Sequence, residues 1–190
     1  MLVEATLVLP VFLLLVFGVM EAGFAWFGRS TVNHMAVVGA RVGSGGANDV
    51  LTDYAILQAV RKAAAGVGID RIDMVVVYRA TGPSDPVPAA CKTTSVTNSA
   101  DVRGCNRYTA ADLTLGPEAF GCVGPPGPPV KIDAYWCPTT RKVALEGSLG
   151  PPDYLGIYVQ ASHENLTGLD WPNLTFSQQT VMRIEPRTLR

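Results

Sequence analysis

Charge is scarce in this sequence. Asp, Glu, Lys and Arg together make up 16% of its 190 residues, the net charge is -1, and no run of like charge occurs. A nucleic-acid surface needs a basic patch or stripe, so partners of that class are excluded. Histidine is scarcer still, with His34 and His163 far apart in the chain. There is no His pair at metal-binding spacing, no phosphate loop, no dinucleotide fingerprint and no nucleophile elbow. Asp101, Asp112 and Glu118 are scattered and read as solvated carboxylates. The expectation is a protein without enzymatic activity, cofactor or metal.

Close cysteine pairs are also missing. Cys91, Cys105, Cys122 and Cys137 stand 14, 17 and 15 positions apart, whereas zinc sites favour pairs two to four residues apart. An even number of cysteines in a loop-rich segment, behind an apolar N-terminal helix, reads as two disulfides in an oxidising compartment. Four cysteines allow three connectivities. Loop entropy leans towards joining Cys91 to Cys105 and Cys122 to Cys137, because short loops close at least cost.

What the chain does have is a long apolar start. Only Glu4 and Glu21 carry charge in the first 28 residues, nothing is charged from Ala5 to Met20, and Arg29 is the first cation. About 20 apolar residues suffice to span a bilayer at ~1.5 Å per residue. A carboxylate near the start of such a helix costs roughly a few kcal/mol in lipid, so Glu4 is expected to have a partner or a task. A cleaved secretory signal has a basic start and a short apolar core, and this segment has neither, so residues 1–28 are expected to remain as an anchor. Pro10 removes a backbone donor there and favours a kink or local loosening.

Beyond Arg29 the pattern turns amphipathic. Val32, Met35, Ala36, Gly39 and Val42 recur at helical spacing while Asn33, His34 and Arg41 supply polarity. Residues 29–45 therefore continue the same helix, which is expected to stop at Gly43-Ser44-Gly45-Gly46, where helix propensity is poorest.

Residues 46–190 read as one extracytoplasmic globular domain. Asn48 or Asp49 is expected to cap a second helix that runs to about Ala65, with Val50, Tyr54, Leu57 and Ala64 on its inner face. Strands are expected over Ile72 to Arg79, Tyr154 to His163 and Phe176 to Glu185, enough for an antiparallel sheet. Between the first two lies a loop-rich insertion, residues 81–152, that holds all four cysteines and a possible short strand at Lys142 to Leu145. Its run Gly124-Pro125-Pro126-Gly127-Pro128-Pro129 is too short for a collagen helix and reads as a stiff polyproline turn. Tyr108, Phe120, Tyr135 and Trp136 read as core fillers, with contact aromatics as the alternative. Asn165-Leu-Thr and Asn173-Leu-Thr match the glycosylation pattern, which is short and common, and use of it is not expected. The fold class is α+β: a long N-terminal helix packed on a small antiparallel sheet, a second helix, and a disulfide-stapled insertion.

The run Val3-Glu4-Ala5-Thr6-Leu7-Val8-Leu9-Pro10, followed by Phe17-Gly18-Val19-Met20-Glu21-Ala22-Gly23, resembles the N-terminal region of TadE-like and TadG-like proteins. These are pilin-related proteins of the bacterial tight-adherence (Tad) pilus systems, a branch of the type IV pilus machinery. The resemblance implies a pilin-like version of the α+β fold and a structural role, as a minor pilin or pseudopilin anchored in the cytoplasmic membrane and incorporated into, or priming, a surface filament. It implies a prepilin peptidase, an assembly platform with its ATPase, and other pilin subunits as partners. Glu4 would pair with the freed N-terminal amine in a core of packed helices, each charge being tolerable there only with the other. The usual pattern places this Glu fifth and here it is fourth, so the processing site is not legible. Pro10, Gly18, Glu21 and Gly23 would belong to the same assembly helix, the glycines allowing close packing. Glu21 is left with three readings: a partner at the membrane interface, a partner in another subunit, or a marker of the aqueous boundary. A main filament subunit remains an alternative within this class. A single-pass membrane-anchored binding module is the rival outside it.

Overall fold

A computed structural model of the chain describes residues 2–93, 104–122, 131–143, 150–163 and 174–185, with side chains from residue 6 onward. Helix α1 spans Leu2–Gly46 as a single element, with Pro10 inside it. Its two halves differ in surroundings. Val32, Met35, Ala36 and Ala40 are fully buried against the rest of the domain, whereas the large apolar side chains from Leu7 to Met20 are exposed. The helix therefore leaves the domain between the packed residues from Val32 onward and the bare ones up to Met20.

The helix ends within the expected stretch, at its last residue, Gly46, with Gly43, Ser44 and Gly45 still helical. A Cβ at Gly43 would lie 2.8 Å from Leu155 and 2.9 Å from Ile56, so this position serves close packing. Tertiary contact outweighs a propensity deficit of about 1 kcal/mol per glycine. The turn out of the helix falls on the next residue, Ala47, at φ 54, whose N–H donates to the Gly43 carbonyl at 3.2 Å. Beyond it, the Ser44 hydroxyl donates to the Arg183 carbonyl at 2.6 Å, which ties this end of α1 to the sheet.

Helix α2 spans Thr52–Ala63 and continues as a short 3-10 turn over Ala64–Gly66. It starts later than expected because Asp49 accepts from the Leu51 N–H at 2.9 Å, forming a turn before the helix rather than its cap. The expected inner face is corrected at Val50, which is 43% exposed; the buried stripe is Thr52, Asp53, Ile56, Leu57 and Val60.

Among the described residues there is one sheet, antiparallel and four-stranded, in the order β2-β1-β3-β4, built from β1 (Ile72–Ala80), β2 (Cys105–Tyr108), β3 (Tyr154–His163) and β4 (Leu174–Arg183). A short helix, α3, covers Ala89–Lys92 between β1 and β2. Strand β2 adds a fourth strand to the three expected; at four residues it is too short for a periodic signal. The possible strand at Lys142 to Leu145 is not formed at Lys142 or Val143, and its remaining two residues lie outside the described ones.

Strand β1 is buried on both faces, as its uninterrupted apolar run requires. Val75 and Val77 join Leu155, Ile157, Val159 and the two long helices in the main core. Val76 and Tyr78 face the other way, into a smaller cluster with Val87, Tyr158 and the Cys91–Cys105 disulfide. The second disulfide joins Cys122 to Cys137. The arrangement is pilin-like: a long N-terminal helix laid across an antiparallel sheet, its first half extending beyond the domain.

Candidate functional site

The first half of α1 is the surface with most to explain. Among the described residues it is the one helix long and apolar enough to cross a membrane, and no part of the domain covers it. Leu7 is 70% exposed, with Leu9, Phe12, Leu14, Phe17 and Met20 also open. A contiguous apolar surface of this size needs lipid or protein around it. Gly18 and Gly23 lie within it, and a Cβ at either would meet nothing within 4 Å. Neither glycine is required by packing inside the chain, so both faces are open to another helix. The Glu4 backbone belongs to α1, while its side chain lies outside the described residues. Helical geometry is continuous through Pro10.

Glu21 is the exception in this exposed segment, with 7% of its surface accessible. Its Oε1 lies 3.1 Å from Nε2 of His163, the last residue of β3. The imidazole is itself held near the Phe176 ring, centroids 6.2 Å apart. Glu21 thus has a partner in its own chain, which the readings from sequence did not name. Nothing local could have revealed it, since the two residues are 142 positions apart.

A cavity of about 290 Å³ opens beside this pair, lined among others by Phe24, Phe27, Val67, Arg71, His163 and Phe176. On the other flank of the helix Trp26, Arg29, Asn33 and Gln178 line a second hollow. The zone between the bare and the packed halves of α1 therefore carries three exposed aromatics, Phe24, Trp26 and Phe27, followed by Arg29.

A second polar constellation, absent from the sequence reading, lies deep in the domain. Arg141 Nη2 donates to Asp53 Oδ1 at 2.6 Å, while Asn106 Nδ2 and the Tyr108 hydroxyl both donate to Asp53 Oδ2 at 2.7 Å. Asn106 also receives the Trp136 N–H at 2.7 Å, and the Arg141 guanidinium lies 4.2 Å from the Trp136 ring centroid. Burial, reinforced by the Asp53 carboxylate, pushes the Tyr108 hydroxyl well above its ordinary pKa. Asp53 and Asn106 are fully buried and Arg141 nearly so, which suits a fastener rather than a substrate site. It joins α2 to two parts of the insertion, β2 and the segment carrying Trp136 and Arg141. The one available signal was Asp53 sharing a helical face with Ile56, Leu57 and Val60, an acid on an apolar stripe.

The remaining candidates have local structural roles. Asp112 accepts from the Thr109 N–H and hydroxyl at 2.7 and 2.9 Å, closing a turn. Glu118 is exposed. Tyr108, Phe120 and Trp136 are buried in the main core, and Tyr135 is half-buried. Asp101, the proline-rich run and both Asn-Leu-Thr motifs lie outside the described residues. Among the described residues no group of three or more His, Cys, Asp or Glu side chains could hold a metal ion.

Helix, sheet and bare apolar segment together define a pilin-like protein equipped for membrane anchoring. Its N-terminal segment is similar to one known family: the family described as TadE-like protein matches residues 1–41. That match ends within α1, and the sheet, the disulfides and the insertion lie beyond it. No curated protein and no solved structure matches the chain.

Proposed function

We propose that this protein is a TadE-like minor pilin or pseudopilin of a Tad-type pilus. In this reading α1 holds it in the cytoplasmic membrane with the globular domain outside, and the protein is then incorporated into, or primes, an extracellular filament for adhesion or secretion. The observation that carries the reading is the bare apolar half of α1, within the segment that matches the TadE-like family. The same surface can be solvated by lipid before assembly and by neighbouring pilin helices afterwards, with little change in apolar burial. Gly18 and Gly23 have no neighbour of their own to accommodate, and they would let other subunits approach closely. Glu4 would pair with a processed N-terminal amine in the filament core. The partners are other pilin subunits, a prepilin peptidase and the assembly platform, and no catalytic activity is assigned.

The rival binding-module reading relied on contact aromatics in the insertion. Burial of Tyr108, Phe120 and Trp136 in the main core removes three of its four candidates, and the fourth, Tyr135, is half-buried. Glu4→Ala tests the proposal. Membrane insertion should persist while recovery of the protein in sheared filaments falls. Unchanged recovery would remove the proposed role of Glu4. N-terminal sequencing of the filament fraction should find a processed terminus within a residue or two of Met1.

A further inference from the structure

We infer that the end of the sheet beside Glu21 is a second membrane contact, seated at the outer edge of the bilayer that α1 crosses, where hydrocarbon gives way to headgroups. The inference rests on the reading that α1 spans a membrane, and it adds a lipid-facing surface on the globular domain. The argument begins with depth. About 20 helical residues fill a hydrocarbon core of ~30 Å, and counting from Ala5, beyond the first carboxylate, brings the outer edge of that core to the neighbourhood of Phe24. Trp26 and Phe27 then fall in the interface, where aromatic residues anchor spanning helices, and Arg29 falls at the headgroups. Glu21 lies about one helical turn inside that edge.

A carboxylate at this depth needs a partner, and His163 of β3 stands 3.1 Å from it. The sheet end must therefore reach the same level. The residues there suit lipid. Leu174, paired with His163 across the ladder, is 42% exposed. Phe176 stands two residues on, against Gly28 of the helix. The cavity beside the pair has walls from both the helix (Phe24 and Phe27) and the domain (Val67 and Phe176). Its surface is continuous with the bare helix. Arg71, from the turn before β1, lines the same cavity and can meet a lipid phosphate. A bilayer is favoured over a second copy as the occupant because depth, aromatic belt and cation follow in the order that one bilayer interface requires.

Photocrosslinking of the full chain in vesicles of phosphatidylethanolamine and phosphatidylglycerol tests this. Benzoylphenylalanine would be placed singly at Phe12, at Leu174 and at Ser84, which follows the far end of β1. All three positions are exposed, so replacement leaves the core intact. Lipid adducts at both 12 and 174, and none at 84, are expected. Adducts at 12 without adducts at 174 would overturn the inference and leave the spanning helix standing, as would crosslinks from 174 to a second copy. Loss of adducts at 12 would remove the spanning helix itself, and the inference with it.

Discussion

Glu21 of α1 and His163 of β3 meet at 3.1 Å although 142 residues separate them in the chain. The pair joins the segment that leaves the domain to the sheet that stays behind, and it places an ionisable contact at the boundary between them. Both side chains are largely buried, at 9% and 15% exposed. His163→Ala should leave the carboxylate short of a buried partner and lower stability by about 1–3 kcal/mol. Glu21→Gln, which keeps a hydrogen-bonding group in place, should cost less. Thermal melting of the two variants in detergent micelles checks this ordering; equal melting temperatures for His163→Ala and the parent would show that the contact contributes nothing.

The Asp53–Arg141 pair should behave as a buried ion pair. Removing one member strands the other in a fully buried site, so Asp53→Ala is expected to destabilise by about 3–5 kcal/mol. Asp53→Leu combined with Arg141→Met should recover much of that loss, because neither charge then remains. Denaturant midpoints of single and double variants give the coupling directly.

Glycine substitutions should separate folding from assembly. A Cβ at Gly156 would run into the Tyr78 ring, so Gly156→Ala is expected to cost about 1–3 kcal/mol through overpacking. Alanine at Gly18 or Gly23 meets nothing in the chain and should leave the melting temperature unchanged or slightly raised, since alanine is the better helix former. If those positions pack against other subunits, the same substitutions should reduce filament recovery while membrane levels hold.

Alkaline pH should destabilise the protein through two tyrosines. Burial, aided by nearby Asp85, pushes Tyr78 from 10.0 to about 12, and burial with Asp53 raises Tyr108 as well. Their unfolded counterparts ionise near pH 10, so above that value the unfolded chain binds fewer protons than the folded one and stability declines with rising pH. The stabilisation is complete below about pH 10 and is lost as pH climbs through the folded values, about 12 for Tyr78. Urea midpoints measured across this window should fall steadily, and Tyr78→Phe should flatten part of the decline.

Much of the architecture was legible because it rests on local pattern. Strand β3 begins and ends where alternation does, since its inward residues Leu155, Ile157, Val159 and Ala161 form a period-two row on the main core. The central place of β1 followed from its unbroken run, Met74 to Tyr78, which needs cover on both faces. Strand β2 was not legible, because four residues carry no period and its pairing with Val75 to Tyr78 is a property of the partner strand. The start of α2 was misplaced for a related reason: an Asp before a helix can cap it or turn the chain ahead of it, and only the surrounding backbone decides which.

The candidate site divides along the same line. The sequence alone determined that residues 5–20 form an uncharged apolar stretch flanked by two carboxylates, because hydropathy and helical spacing are local quantities, and residues 3–10 and 17–23 carried the resemblance to TadE-like proteins. Only the tertiary structure decided that Glu21 is answered by His163, that Gly43 stays helical to admit Leu155, and that Asp53 closes a network with Asn106, Tyr108 and Arg141. Each of these is a contact between distant positions, and its strength depends on burial and on neighbours that the folded chain itself supplies.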